Sequence, residues 1–134
     1  MLVLLTREFG YVNEIPQHNI SNLKCTNEIL AVMDYINQNI DTNITLEHLS
    51  RVGNLSPNYL CSAFKQMNGM TVWEYILIRR IDEAKKRLKE GNESILNIQL
   101  ACGFRTTSNF NKAFKKQVGM TPSEYKKHLN PQKT

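Results

Sequence analysis

With 134 residues, 41% of them hydrophobic and 22% charged, the chain has the composition of an ordinary globular protein, large enough for one domain or for two small subdomains sharing a helix. No run approaches the roughly 20 apolar residues that span a bilayer, and the opening MLVLLTREFG lacks the basic lead, apolar length and small-residue cleavage site of a secretory signal, so a cytoplasmic protein without a membrane partner is expected. The net charge of +5 is split unevenly, −4 over residues 1–50 and +9 over residues 51–134, which suggests a polyanionic partner for the C-terminal two thirds while leaving a merely solvated basic surface open.

Residues 1–10 fit one or two helical turns, and residues 11–26, polar and without a clear period, read as a linker. Together they read as the tail of an upstream domain, which would make the chain a fragment. From Asn27 the pattern is helical: Ile29, Met33, Ile36 and Ile40 recur at spacings of four, three and four. A short helix fits residues 45–52, with Leu46 and Leu49 inward. A longer one runs from Pro57 to Asn68, with Ser56 placed to cap it, Pro57 at its first position and Gly69 placed to end it. Thr71 and Glu74 form a capping-box pattern that opens a helix over 71–89, whose inward stripe reads Leu77, Ile81, Ala84 and Leu88. Beyond Gly91, short helices are expected near 95–102 and 107–118. A last helix starts at Thr121-Pro122-Ser123-Glu124, again a capping box. No segment alternates as a strand, so the expected fold is all-α.

The chain also repeats itself. AFKQMNGMTVWEY (63–75) and AFKKQVGMTPSEY (113–125) match at eight of thirteen positions at a constant offset of 50. Upstream the offset becomes 49, pairing Leu49 with Ile98, Asn54 with Gly103 and Leu55 with Phe104, so the second copy carries one extra residue between its short and long helices. Two copies are too few for a solenoid. They indicate two related units, about 27–70 and 92–129, joined by the helix at 71–89, with a tail at 130–134. Each unit is a short helix, a tight turn needing a residue tolerant of positive φ (Asn54, Gly103), and a longer helix. In unit one the longer helix has a buried stripe of Leu60, Ala63, Phe64 and Met67, opposite Asn58, Cys61, Ser62 and Lys65. In unit two Phe110, Ala113 and Phe114 face inward, leaving Ser108, Asn111, Lys112 and Lys115 outside. A helix with short polar and basic groups on one face and an apolar back suits the major groove. The joining helix would be about 27 Å long, suited to holding two such helices about one DNA turn, ~34 Å, apart.

The segments TLEHLSRVGNLSPNYLCSAFKQMNGMTVWEYI, RRIDEAKKRL, SILNIQLACGF and FNKAFKKQVGMTPSEYKK resemble the DNA-binding domain of the AraC/XylS family of bacterial transcription regulators, over about residues 27–129. The resemblance implies seven helices in two helix-turn-helix subdomains, with the third and sixth helices reading DNA. It implies base contacts from Asn58, Cys61 and Ser62 in unit one, and from Thr107, Ser108, Asn111 and Lys112 in unit two. The chain departs from the family pattern at Asn54, where glycine is usual, at Gln99, where a small alanine packs beneath the second reading helix, and at Asn109, where an aromatic is common. The first reading helix also lacks the long arginine of many relatives. In full-length members an N-terminal domain senses a small molecule or mediates dimerisation. Residues 1–26 are too short for one, so the chain is either part of such a protein or a small stand-alone member.

Phosphate contacts are expected from Lys65, Arg79, Arg80, Arg105, Lys115 and Lys116, with Ser56 and Thr106 at the starts of the longer helices. The expected partners are double-stranded DNA and RNA polymerase; this chain alone is expected to be a monomer, a full-length protein a dimer. Cys25, Cys61 and Cys102, like His18, His48 and His128, are scattered without ligand spacing, so neither a disulfide nor a metal nor another cofactor is expected. A helical protein-interaction module would share the core stripes but has no need of basic and amide groups on both outward faces. An enzyme is disfavoured because no phosphate loop, metalloprotease motif or nucleophile–base set appears. RNA binding lacks an aromatic stacking platform.

Overall fold

The computed structural model describes residues 17–129, with side chains from Cys25 onward. The turns expected over 1–10, the first part of the linker and the tail lie outside the described residues. Within them the chain forms α1 (Gln17–Gln38), α2 (Leu46–Gly53), α3 (Pro57–Asn68), α4 (Val72–Glu90), α5 (Ile95–Ala101), α6 (Thr107–Val118) and α7 (Pro122–Leu129), with no strand. None of these helices is long and apolar enough to cross a membrane.

α1 begins ten residues before the expected start, so residues 17–26 are helix rather than linker. Its buried stripe is Cys25, Ile29, Val32 and Ile36, at spacings of four, three and four. Cys25 thus behaves as a small apolar core residue and carries the helical period one turn upstream. Met33 is only half-buried at the edge of this stripe, and Ile40 lies past the helix end. The remaining helices start at capping side chains, of which Ser56, Thr71 and Thr121 are those expected. Thr45, Ser56, Ser94 and Thr106 each accept the backbone N–H three residues on, and Thr71–Glu74 and Thr121–Glu124 close reciprocal capping boxes.

Two hydrophobic cores share α4. Val72 and Ile76 join Leu49, Leu60, Ala63 and Phe64 in the first core, together with the α1 stripe. Ile81, Ala84 and Leu88 join Ile98, Cys102, Phe104, Phe110 and Phe114 in the second. The repeat extends to aromatic geometry. Phe64 meets Tyr75 edge-on at 5.5 Å and 63°, and Phe114 meets Tyr125 at 5.5 Å and 64°. Two expected core positions are corrected: Leu77 is 37% exposed and Met67 38%. Leu77 falls where α4 passes from one core to the other, and Met67 lies on the last turn of α3, past the end of the first core.

Gln99 is buried, and its amide is satisfied on both sides. Nε2 donates to the Phe104 carbonyl at 3.4 Å, and Oε1 accepts the Thr107 hydroxyl at 3.0 Å. The glutamine therefore fills the place of a small residue and ties the turn to α6. Burial pushes the Cys102 thiol up to about 12, leaving it protonated and inert.

Both turns adopt the left-handed conformation, Asn54 at φ 55° and Gly103 at φ 89°. They differ in surroundings. A Cβ on Gly103 would stand 2.4 Å from the Ile40 carbonyl oxygen and 2.9 Å from Arg80 Nε. Gly103→Ala combines strain with a clash against backbone and should cost roughly 1–3 kcal/mol, visible as a lowered Tm. Asn54→Gly should melt within about 0.5 kcal/mol of the parent, since asparagine already tolerates this conformation. Equal melts for Gly103→Ala and the parent would contradict the crowding.

The capping boxes also predict an acid response. The Thr71 backbone N–H holds the Glu74 carboxyl below its usual 4.5, and the Thr121 N–H does the same for Glu124. Their contribution to stability is complete above about pH 4.5 and is lost as pH falls through the depressed values. The Glu74→Gln, Glu124→Gln double variant should therefore lose less stability than the parent between pH 5 and pH 3 in denaturant titrations. Parallel pH profiles would show that the boxes do not carry this term.

Candidate nucleic-acid interface

α3 and α6 are each 12 residues long, each opened by a hydroxyl cap and each backed by its own core. Leu60, Ala63 and Phe64 hold α3, and Phe110 and Phe114 hold α6. Their outward faces carry the residues expected there. Asn58, Cys61, Ser62 and Lys65 are exposed on α3, as are Ser108, Lys112 and Lys115 on α6, while Asn111 is half-buried. Thr107 is exposed, but its hydroxyl hydrogen is directed inward to Gln99, so it reaches outward only as an acceptor or through its methyl group. The caps Ser56 and Thr106 accept from Tyr59 N–H and Asn109 N–H at 3.2 and 3.1 Å, each keeping its own hydroxyl hydrogen for an external acceptor.

The expected phosphate-binding cations divide into two groups. Among the described residues no ion pair engages Lys65, Arg105, Lys115 or Lys116. Two of these cations, Arg79 and Arg80 of α4, make hydrogen bonds within the protein. Arg79 donates to Asn37 Oδ1 at 3.0 Å and to Asp82 at 3.1 Å. Arg80 is partly buried and donates to the carbonyls of Ile40 at 2.8 Å and Thr42 at 2.9 Å. Arg80 thus pairs two carbonyls of the α1–α2 loop, and Arg79 ties α4 to the last turn of α1.

Lys65 and Lys116 both lie within electrostatic reach of Glu74, adding to the lowering of its carboxyl by the Thr71 N–H. Between the units lies a cleft of about 660 Å³, its walls including Asp41, Leu77, Leu100, Arg105, Lys112 and Lys116. Sequence reasoning missed this cleft and the part played in it by the loop at 41–43. The only signal was Leu77, read as core because its spacing fits the α4 stripe.

A family model described as a helix-turn-helix domain matches residues 49–128. The chain is 33% identical over 99 residues to the melibiose operon regulatory protein of Escherichia coli K12, an alignment covering 74% of this chain and 33% of that one. Among solved structures it is similar to the C-terminal domain of AraT, a response regulator from Geobacillus stearothermophilus, with a TM-score of 0.72, 27% identity, and 75% and 84% of the two chains covered. It is also similar to a probable AraC family transcriptional regulator from Rhodopseudomonas palustris, with a TM-score of 0.71, 25% identity, and 78% and 99% covered. The chain belongs to the AraC family, as its helix-turn-helix DNA-binding domain. It spans about a third of the length of curated relatives such as the melibiose regulator.

For an AraC-type domain with this charge layout, binding to duplex DNA should weaken steeply with salt. Each phosphate neutralised contributes about −0.9 to the slope of log K against log salt. Lys116→Ala should make that slope less steep by about one and weaken all sequences alike, whereas Arg80→Ala should leave the slope unchanged because its donors are engaged internally. Titrations of both variants at several salt concentrations check this; a flatter slope for Arg80→Ala would place that side chain at a phosphate.

Proposed function

We propose that the chain binds double-stranded DNA sequence-specifically by laying α3 and α6 into successive major-groove segments on one face of the duplex, and that it thereby regulates transcription in the cytoplasm with RNA polymerase as its protein partner. The observation that carries this reading is the structural repeat. The Phe64–Tyr75 and Phe114–Tyr125 pairs have the same geometry and seat two helices of equal length, with polar and basic faces turned outward. The names of the relatives, regulators of operons, support the regulatory role.

In this reading Asn58, Cys61 and Ser62 face bases in one segment, and Thr107, Ser108, Asn111 and Lys112 face bases in the other. Ser56, Lys65, Arg105, Thr106, Lys115 and Lys116 meet phosphates. Unit one reads with short side chains and so relies on close approach. Unit two brings an amide and an ammonium, which match adenine N6/N7 and guanine O6/N7.

Selection of bound duplexes from a random library gives the site, and Asn111→Ala and Lys112→Ala then test it. Each should cost about 1–3 kcal/mol on the selected site and relax preference at one or two base pairs. Variants that keep the parent's full ranking of single-base substitutions would show that these residues do not read bases, leaving specificity to unit one or to DNA shape.

A further inference from the structure

α4 is held by the first core through Val72 and Ile76 and by the second through Ile81, Ala84 and Leu88. Between them, residues 77–80 belong to neither core. Leu77 and, across the cleft, Leu100 remain 37% and 54% exposed. Arg80 occupies this gap. Its Nε donates to the Ile40 carbonyl and its Nη2 to the Thr42 carbonyl, at 2.8 and 2.9 Å, so a side chain of the shared helix grips the α1–α2 loop of unit one. The turn of unit two closes on the same point, because Gly103 comes so near the Ile40 carbonyl that a Cβ would stand 2.4 Å from it. One carbonyl of unit one, one guanidinium of α4 and one glycine of unit two therefore meet.

We propose that Arg80 is the residue that fixes the relative position of the two units, and with it the base-pair spacing at which the protein binds two DNA segments. The proposal rests on the reading in which both α3 and α6 enter DNA. The planar guanidinium suits this role because two parallel donors fix a direction as well as a distance. One base pair inserted between the segments displaces the second by about 3.4 Å and turns it by about 35°. A rigid pair of units tolerates neither; a loose pair accommodates both at some loss of affinity, as flexibly linked modules do.

The experiment measures binding of the selected site and of versions with one base pair added or removed between its two segments, for the parent, Arg80→Met and Arg80→Lys. The parent should lose affinity on the order of tenfold or more on each altered spacing, comparable to losing a good base contact. Arg80→Met, similar in length but without donors, should retain the base preferences within each segment and show a spacing penalty of about threefold or less. Arg80→Lys keeps the charge but cannot span both carbonyls, and should fall between. Spin labels at the exposed Cys61 on α3 and at Gln117→Cys on α6 give a second readout: the distance distribution should be narrow with Arg80 and broader in both variants. Should Arg80→Met fail to fold, Arg80→Lys decides through both readouts. A parent indifferent to spacing overturns the two-helix reading and this proposal with it. A spacing-sensitive parent whose preference and distance distribution persist unchanged in the folded variants overturns this proposal alone.

Discussion

A single helix completes two cores. α4 contributes Val72 and Ile76 to one and Ile81, Ala84 and Leu88 to the other, and neither core closes without it. Small helical units bury too little apolar surface to be stable by themselves, so sharing a helix is a direct way to make two of them persist. The same sharing imposes a constraint. A helix is stiff along its axis, so whatever anchors it to one unit also sets where the other stands. The caps that define its ends, the Thr71–Glu74 box and the left-handed Gly91, fix which residues fall in which core.

The two units are variations on one design. The matching aromatic pairs, the hydroxyl caps and the left-handed turns recur in both, and the differences cluster at the turn of unit two. There Gly103 replaces Asn54, one extra residue precedes the long helix, and Gln99 is buried beneath it. A buried amide without partners costs on the order of 1–3 kcal/mol. Here the Phe104 carbonyl and the Thr107 hydroxyl satisfy it, so the polar residue is accommodated and in return restrains the start of α6. Gly103 is required less by the turn itself, which asparagine manages in unit one, than by the carbonyl of Ile40 lying against it.

Electrostatics separates the basic residues by function. Arg87 bridges Glu83 and Glu93 at 3.0 Å each, bracing the end of α4, and these carboxylates raise its pKa. Arg80 holds the α1–α2 loop and Arg79 the last turn of α1. Lys65, Arg105, Lys112, Lys115 and Lys116 line the outward faces and the cleft without internal ion pairs among the described residues, and in the proposed reading they are the cations a polyanion meets. A count of basic residues makes no such distinction.

Much of this was legible in the sequence because it depends on neighbours along the chain. Helix starts follow from Ser56-Pro57, Thr71…Glu74 and Thr121…Glu124, since a cap is satisfied within three residues. The outward and inward faces of α3 and α6 follow from helical period, and the repeat follows from simple alignment. The tertiary structure decided the rest. It placed Cys25 in the core, upstream of the expected helix start, because burial depends on what lies opposite rather than on local polarity. It exposed Leu77 and Met67, which have core spacing but no core to meet. It tied up the hydroxyl hydrogen of Thr107 and the guanidinium of Arg80, because their partners lie eight and some forty residues away in sequence. Periodicity tells which face of a helix is apolar; only the folded chain determines which donor reaches which carbonyl, and those long-range bonds set how the two units stand to one another.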